Sequence, residues 1–87
     1  MISAGDLVIS LCGHDKDDLF IVLSKDDKYV IICDGKRRKA EKNKKKKIKH
    51  IQATGLNTDL INNVPAHSVD ATVRREIKRL REFLNEN

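Results

Sequence analysis

The sequence predicts a mainly β domain with α: a small sheet formed first, then one C-terminal amphipathic helix. Two observations predict it. Three short apolar runs, at residues 6–12, 19–24 and 29–33, are separated by polar turn segments. Further on, Val69, Val73, Ile77, Leu80 and Leu84 recur at spacings of three and four, the signature of one helix stripe.

The first run, DLVISLC, places Leu7, Ile9 and Leu11 on one face of a strand and Val8, Ser10 and Cys12 on the other. Gly13 and the charged residues after it suit a turn rather than a strand interior. LFIVLS, residues 19–24, is almost continuously apolar and reads as a strand buried on both faces. Asp26 and Asp27 interrupt it before YVIIC, a third β-branched run at residues 29–33. The short intervening segments favour an antiparallel meander. Asp34-Gly35 is then a strong turn signal, because glycine takes positive φ without steric cost.

The segment KRRKAEKNKKKKIKHIQ follows, and its first part is too charged for a core. Ile48 and Ile51 are the apolar anchors for a fourth strand, expected to begin near Lys46. A short helical turn is expected between Leu56 and Val64, before Pro65 interrupts it. The last helix is expected over residues 68–87, with Ser68 or Asp70 as its N-cap. Arg74, Arg75, Lys78, Arg79 and Arg81 fall mostly off its apolar stripe, and Glu76, Glu82 and Glu86 allow intrahelical pairing, so packing is the main role expected of the helix.

At 87 residues the chain is expected to form one domain, too small for a deep enzyme cleft. The core must be Ile, Val and Leu, since there is no Trp, one Tyr and two Phe; that poverty also disfavours an extended base-stacking platform. Charge is unevenly spread. Residues 1–35 carry three Lys and seven Asp, residues 36–50 carry eight Lys and two Arg against Glu41, and residues 51–87 balance. The whole positive excess therefore lies in one stretch, where Lys and Arg can neutralise phosphates and release counterions.

Cys12 and Cys33 are too few and too far apart for a disulfide scaffold or a paired zinc motif, and are expected to be reduced thiols. With His14, His50 and His67 they show no zinc-finger spacing, so no metal or other cofactor is expected. No nucleophile, base and orienting group form a recognisable set, and the expectation is a non-catalytic protein. The chain lacks a signal-like or membrane-spanning run, which makes a cytoplasmic location the expectation.

The order of motifs is itself informative: Gly5-Asp6, a strand, Gly13-His14-Asp15-Lys16, two more strands, Asp34-Gly35-Lys36-Arg37-Arg38-Lys39, and finally Lys49-His50-Ile51-Gln52-Ala53-Thr54. Across residues 4–54 this resembles KOW-domain proteins, and in particular the small KOW proteins similar to certain large-subunit ribosomal proteins. The resemblance implies a small SH3-like KOW β-barrel over residues 1–54, with a basic insertion at 36–47, a connector at 55–67 and the helix appended. Asp17 stands where the KOW pattern usually carries glycine, and His14 replaces a residue that is commonly basic. The function implied is ribosome-associated binding of structured RNA, ribosomal RNA or a ribosomal subunit being the expected partner.

On this reading the RNA-contacting residues are Gly13, His14, Asp15 and Lys16 in the first loop, with Lys36, Arg37, Arg38, Lys39, Lys42, Lys44, Lys45, Lys46, Lys47 and Lys49 in the basic stretch. Arg37 and Arg38 can grip phosphate in a bidentate manner that lysine cannot. Two other functions fit the charge: a protein-interaction module for acidic partners in transcription or translation, with the C-terminal helix as a further contact, and a non-specific DNA-binding protein. The 2′-hydroxyl separates RNA from DNA.

Overall fold

A computed structural model describes residues 1–85 of the chain. Five strands form one antiparallel sheet: β1 (Asp6–Ser10), β2 (Leu19–Lys25), β3 (Tyr29–Cys33), β4 (Lys44–Lys47) and β5 (Ile51–Asn57), in the spatial order β4-β3-β2-β1-β5. One helix, α1 (Val69–Asn85), follows. Short 3-10 turns occupy Ala40–Lys42, Ile48–His50, Leu60–Asn63 and Ala66–Ser68.

The apolar runs become strands because both faces of the sheet are covered. Phe20 and Val22 turn to one face with Val8, Val30, Ile32 and Ile51. Ile21 turns to the other, joining Leu7 and Cys33 beneath Val73, Ile77 and Leu80 of α1. That is why β2 reads as continuously apolar instead of alternating. Full burial of a Leu, Ile, Val or Phe side chain is worth about 1.5–3 kcal/mol, so these two clusters dominate the stability of the sheet. The expected stripe of α1 is the packed face, with Val69 and Leu84 completing it at the ends.

β4 and β5 lie at opposite edges of the sheet, yet only Ile48–His50 joins them. Flat sheet edges four spacings apart would be roughly 19 Å from one another, whereas three residues span about 10 Å. The sheet must therefore curl. Its ladders nevertheless end at β4 and β5, so the expected barrel is a curled open sheet. The curl wraps the face bearing Val8, Phe20 and Ile32, and irregular register at Leu23 in β2 and between Asp6 and Val8 in β1 accommodates the bend.

Several boundaries differ from expectation. β1 stops at Ser10, since the Leu11 N–H donates to the His50 carbonyl and the Asp17 N–H to the Ser10 carbonyl, turning the chain into the first loop. Lys44–Lys47, expected inside a basic insertion, form β4 by pairing with Ile32, Ile31, Val30 and Tyr29. β5 runs on to Asn57, past the expected end at residue 54. At the helix start the Asp70 Oδ1 accepts the Ala40 N–H at 2.7 Å, tying the basic stretch to the helix. Of the expected helix, residues 86 and 87 lie outside the described ones.

Candidate nucleic-acid interface

The basic stretch is divided by structure into parts with different duties. Its first part is a loop whose shape is set by Asp34. The Asp34 Oδ1 accepts the backbone N–H groups of Lys36 at 2.8 Å and Arg38 at 2.9 Å, while the Asp34 N–H donates to the Arg38 carbonyl at 2.9 Å. Gly35 has φ of +77°, and a Cβ there would collide with the Asp70 carbonyl oxygen and lie 2.8 Å from Arg74 Cγ. Only glycine satisfies both the turn and this approach. Arg74 Nη1 then donates to the Gly35 carbonyl at 2.5 Å, fastening the loop to the helix. Lys36 and Arg37 are left exposed beside α1.

A groove of about 660 Å³ results, in which Lys36 and Arg37 face Arg74, Arg75, Lys78 and Arg81 of α1, with Asp18 and Asp34 as its carboxylates. Arg74, Lys78 and Arg81 are spaced i, i+4, i+7 and so share one side of the helix. Packing is the main role the sequence predicts for the helix, yet its basic flank lines this groove. The signal was present, in a second, basic stripe flanking the apolar one, but only the docking of Gly35 on Asp70 and Arg74 shows which loop it faces. Arg79 belongs elsewhere: its guanidinium donates to the buried Glu76 carboxylate at 2.9 and 3.0 Å, and Thr58 Oγ1 donates to the same carboxylate at 2.6 Å. The Arg79 hydrogen bond holds the Glu76 carboxyl below its ordinary value despite burial.

The first loop abuts this region. His14, Arg37, Arg38 and Lys44 line a smaller depression of about 250 Å³, so the two loops expected to touch RNA are neighbours. His14 and Lys16 are exposed. Gly13 and Asp17 both have positive φ, +87° and +73°, so Asp17 holds a left-handed conformation that glycine ordinarily favours. Asp15 points inward: its Oδ1 accepts from Ser10 Oγ and Lys46 Nζ, both at 2.7 Å, and its Oδ2 from Lys44 Nζ at 2.7 Å. Burial alone would raise the Asp15 carboxyl, but the hydrogen bonds from Lys44, Lys46 and Ser10 outweigh it and hold the group well below the usual carboxylate range.

Strand alternation splits the lysines of β4. Lys44 and Lys46 pair with Ile32 and Val30, and so share the face toward which the sheet curls. Lys46 is buried, and besides Asp15 its ammonium donates to Ser10 Oγ and, at 2.7 Å, to the Cys12 carbonyl. It is a structural clasp between β4 and the first loop. Lys45 and Lys47 take the opposite face and are exposed; Lys45 Nζ lies 4.5 Å from the centroid of the Tyr29 ring. Lys39, Lys42 and Lys49 are exposed in or beside the turns that flank β4. The site residues thus sort into outward cations, at Lys16, Lys36, Arg37, Arg38, Lys39, Lys42, Lys45, Lys47 and Lys49, and an inward set, Asp15, Lys44 and Lys46, already bound to one another.

Among the described residues no group of three His, Cys, Asp or Glu side chains could hold a metal ion, and no helix is long and apolar enough to cross a membrane. Cys12 and Cys33 are free thiols. Burial, with Asp70 and Asp34 nearby, pushes the Cys33 thiol up to about 12, which leaves it without nucleophilic character at neutral pH. Neither a protein-family model nor a curated protein sequence matches the chain.

Proposed function

We propose that this chain is a non-catalytic, cytoplasmic binder of structured RNA, with a ribosomal subunit as the class of target and the groove between the Lys36-Arg37 loop and α1 as its principal phosphate contact. The observation that carries this reading is the convergence of Lys36, Arg37, Arg74, Arg75, Lys78 and Arg81 on one groove, from segments far apart in sequence. Cations at fixed spacing on a rigid helix and a glycine-locked loop meet a phosphate backbone without first paying to order a loose tail. Shape and groove geometry, rather than base edges, would set the choice of RNA. The KOW resemblance supports RNA over DNA, and the positive φ at Asp17 is in keeping with it. The curled five-stranded sheet is likewise compatible with the SH3-like barrel that the resemblance implies.

The test is direct titration of the full chain with an RNA hairpin and a DNA hairpin of the same sequence over a range of salt. Preferential RNA binding with a steep salt dependence is expected, each phosphate contact adding about 0.9 to the log–log slope on a duplex. Reversing the charge of Arg75, Lys78 and Arg81 together should abolish most of the affinity while leaving the fold intact, since all three side chains are exposed. Unchanged affinity in that folded variant overturns the reading. Equal affinity for the DNA hairpin would make the protein a general polyanion binder instead.

A further inference from the structure

A second cleft, of about 530 Å³, lies away from the groove and is lined by Asp27, Lys28, Tyr29, Lys47, Ile48 and Lys49. Its walls are of two kinds. Tyr29 and Ile48 supply flat apolar surface, and three ammonium groups surround it against the single carboxylate of Asp27. The arrangement is held firmly from both sides. The Asp26 Oδ1 accepts the backbone N–H groups of Lys28 and Tyr29, each at 2.8 Å, which fixes the turn leading into the aromatic residue. The Ile48 N–H donates to the Lys28 carbonyl at 2.8 Å, which fixes the opposite wall against that turn. Lys45 Nζ lies 4.5 Å from the Tyr29 ring centroid, and the half-buried ring lines the cleft.

From this geometry we infer that the cleft seats one unpaired nucleotide of the bound RNA, its base stacked on Tyr29 beside Ile48 and its flanking phosphates held by Lys28, Lys47 and Lys49. The inference rests on the RNA-binding reading above and adds to it a requirement: the preferred target carries a loop, bulge or frayed end next to its helical part. A base offers a π-face to an aromatic ring whatever its identity, so the seat is tolerant of sequence. An acidic peptide would satisfy the lysines but leave the ring face without a planar partner. The chain has one tyrosine and no tryptophan, so a single stacked base is the limit of what this surface can take, and tyrosine emission reports on that one residue.

The experiment follows tyrosine fluorescence of the full chain during titration with a short oligouridylate, with a blunt RNA duplex matched in phosphate number, and with an oligoglutamate peptide. Saturable quenching by the oligouridylate alone is the expected result. In direct binding measurements, Tyr29→Leu, which keeps apolar bulk, should weaken the oligouridylate by roughly tenfold, and Tyr29→Phe should bind as the unaltered chain does. Duplex affinity should be the same in all three. Equal quenching by the duplex or the peptide, or full oligouridylate affinity in Tyr29→Leu, overturns the nucleotide seat while leaving the groove in place. If the unaltered chain binds neither RNA, the RNA-binding reading falls and this inference with it.

Discussion

Lys46 Nζ and Asp15 Oδ1 lie 2.7 Å apart, with the lysine side chain 7% and the aspartate side chain 13% exposed. A lysine in the middle of a lysine run thus serves the fold and not the ligand. Removing one partner of a buried pair leaves an uncompensated charge, at a cost of about 3–5 kcal/mol. Because Lys44 and Ser10 still hold Asp15, Lys46→Met should fall at the low end, near 3 kcal/mol, in urea unfolding. Lys45→Ala and Lys47→Ala should each change stability by less than about 0.5 kcal/mol. Replacing Lys44 to Lys47 together would therefore confound unfolding with lost binding. The set Lys45, Lys47 and Lys49 separates them, and should weaken RNA binding at unchanged stability.

The same pair fixes how stability depends on acidity. The Asp15 carboxyl is depressed in the folded chain, so the unfolded chain binds more protons as pH falls below the ordinary aspartate value of 3.8. Its contribution is fully present above roughly pH 5 and is lost as the pH drops toward the folded value, which lies well below. Glu76 acts in the same direction through its hydrogen bond from Arg79. Thermal melts of the unaltered chain and Asp15→Asn should differ most near neutrality and converge in acid. A difference that stays constant down to pH 3 would mean that the Asp15 carboxyl is not depressed in the folded protein.

Asp17 offers a backbone test. At φ of +73° it sits in a region that costs an ordinary L-residue about 1–2 kcal/mol and aspartate less. Glycine removes that cost but enlarges the unfolded ensemble, so Asp17→Gly should be neutral or stabilising by up to about 1 kcal/mol. Asp17→Val, branched at Cβ, should cost at least about 1 kcal/mol. Urea midpoints at neutral pH decide. A valine variant as stable as the parent would show that the loop does not need the left-handed turn.

These three residues show where sequence was legible and where it was not. The strands and the helix stripe are legible because burial of Phe20 and Ile21 on opposite faces leaves a continuous apolar run, while burial of Val73, Ile77 and Leu80 on one face leaves a three-and-four pattern. The left-handed turn at Asp17 is not legible in the sequence, since aspartate adopts that conformation less readily than glycine. The role of Lys46 could not be read locally: a charged run looks solvated, and only the pairing of β4 with β3 sets which lysines point inward. The groove was hidden for a related reason. Its two halves, at Lys36-Arg37 and along Arg74 to Arg81, are joined by a contact between a turn glycine and a helix, which no periodicity records.

That contact gives the most discriminating variant. In Gly35→Ala the added Cβ meets the Asp70 carbonyl and Arg74 Cγ, and the backbone must also hold φ near +77°. The left-handed conformation alone costs about 1–2 kcal/mol, and the steric conflict adds to it. Either α1 shifts from the loop or the loop leaves the helix; both separate Lys36 and Arg37 from Arg74. Gly35→Ala should therefore lose at least about 2 kcal/mol in urea unfolding. Measured where it is still fully folded, it should also bind the RNA hairpin several-fold more weakly, although no charge has changed. Lys36→Ala is the matched control, expected to weaken binding with little effect on stability. If Gly35→Ala loses stability but keeps full RNA affinity, the two halves of the groove act independently, and the phosphate contact does not depend on their fixed spacing.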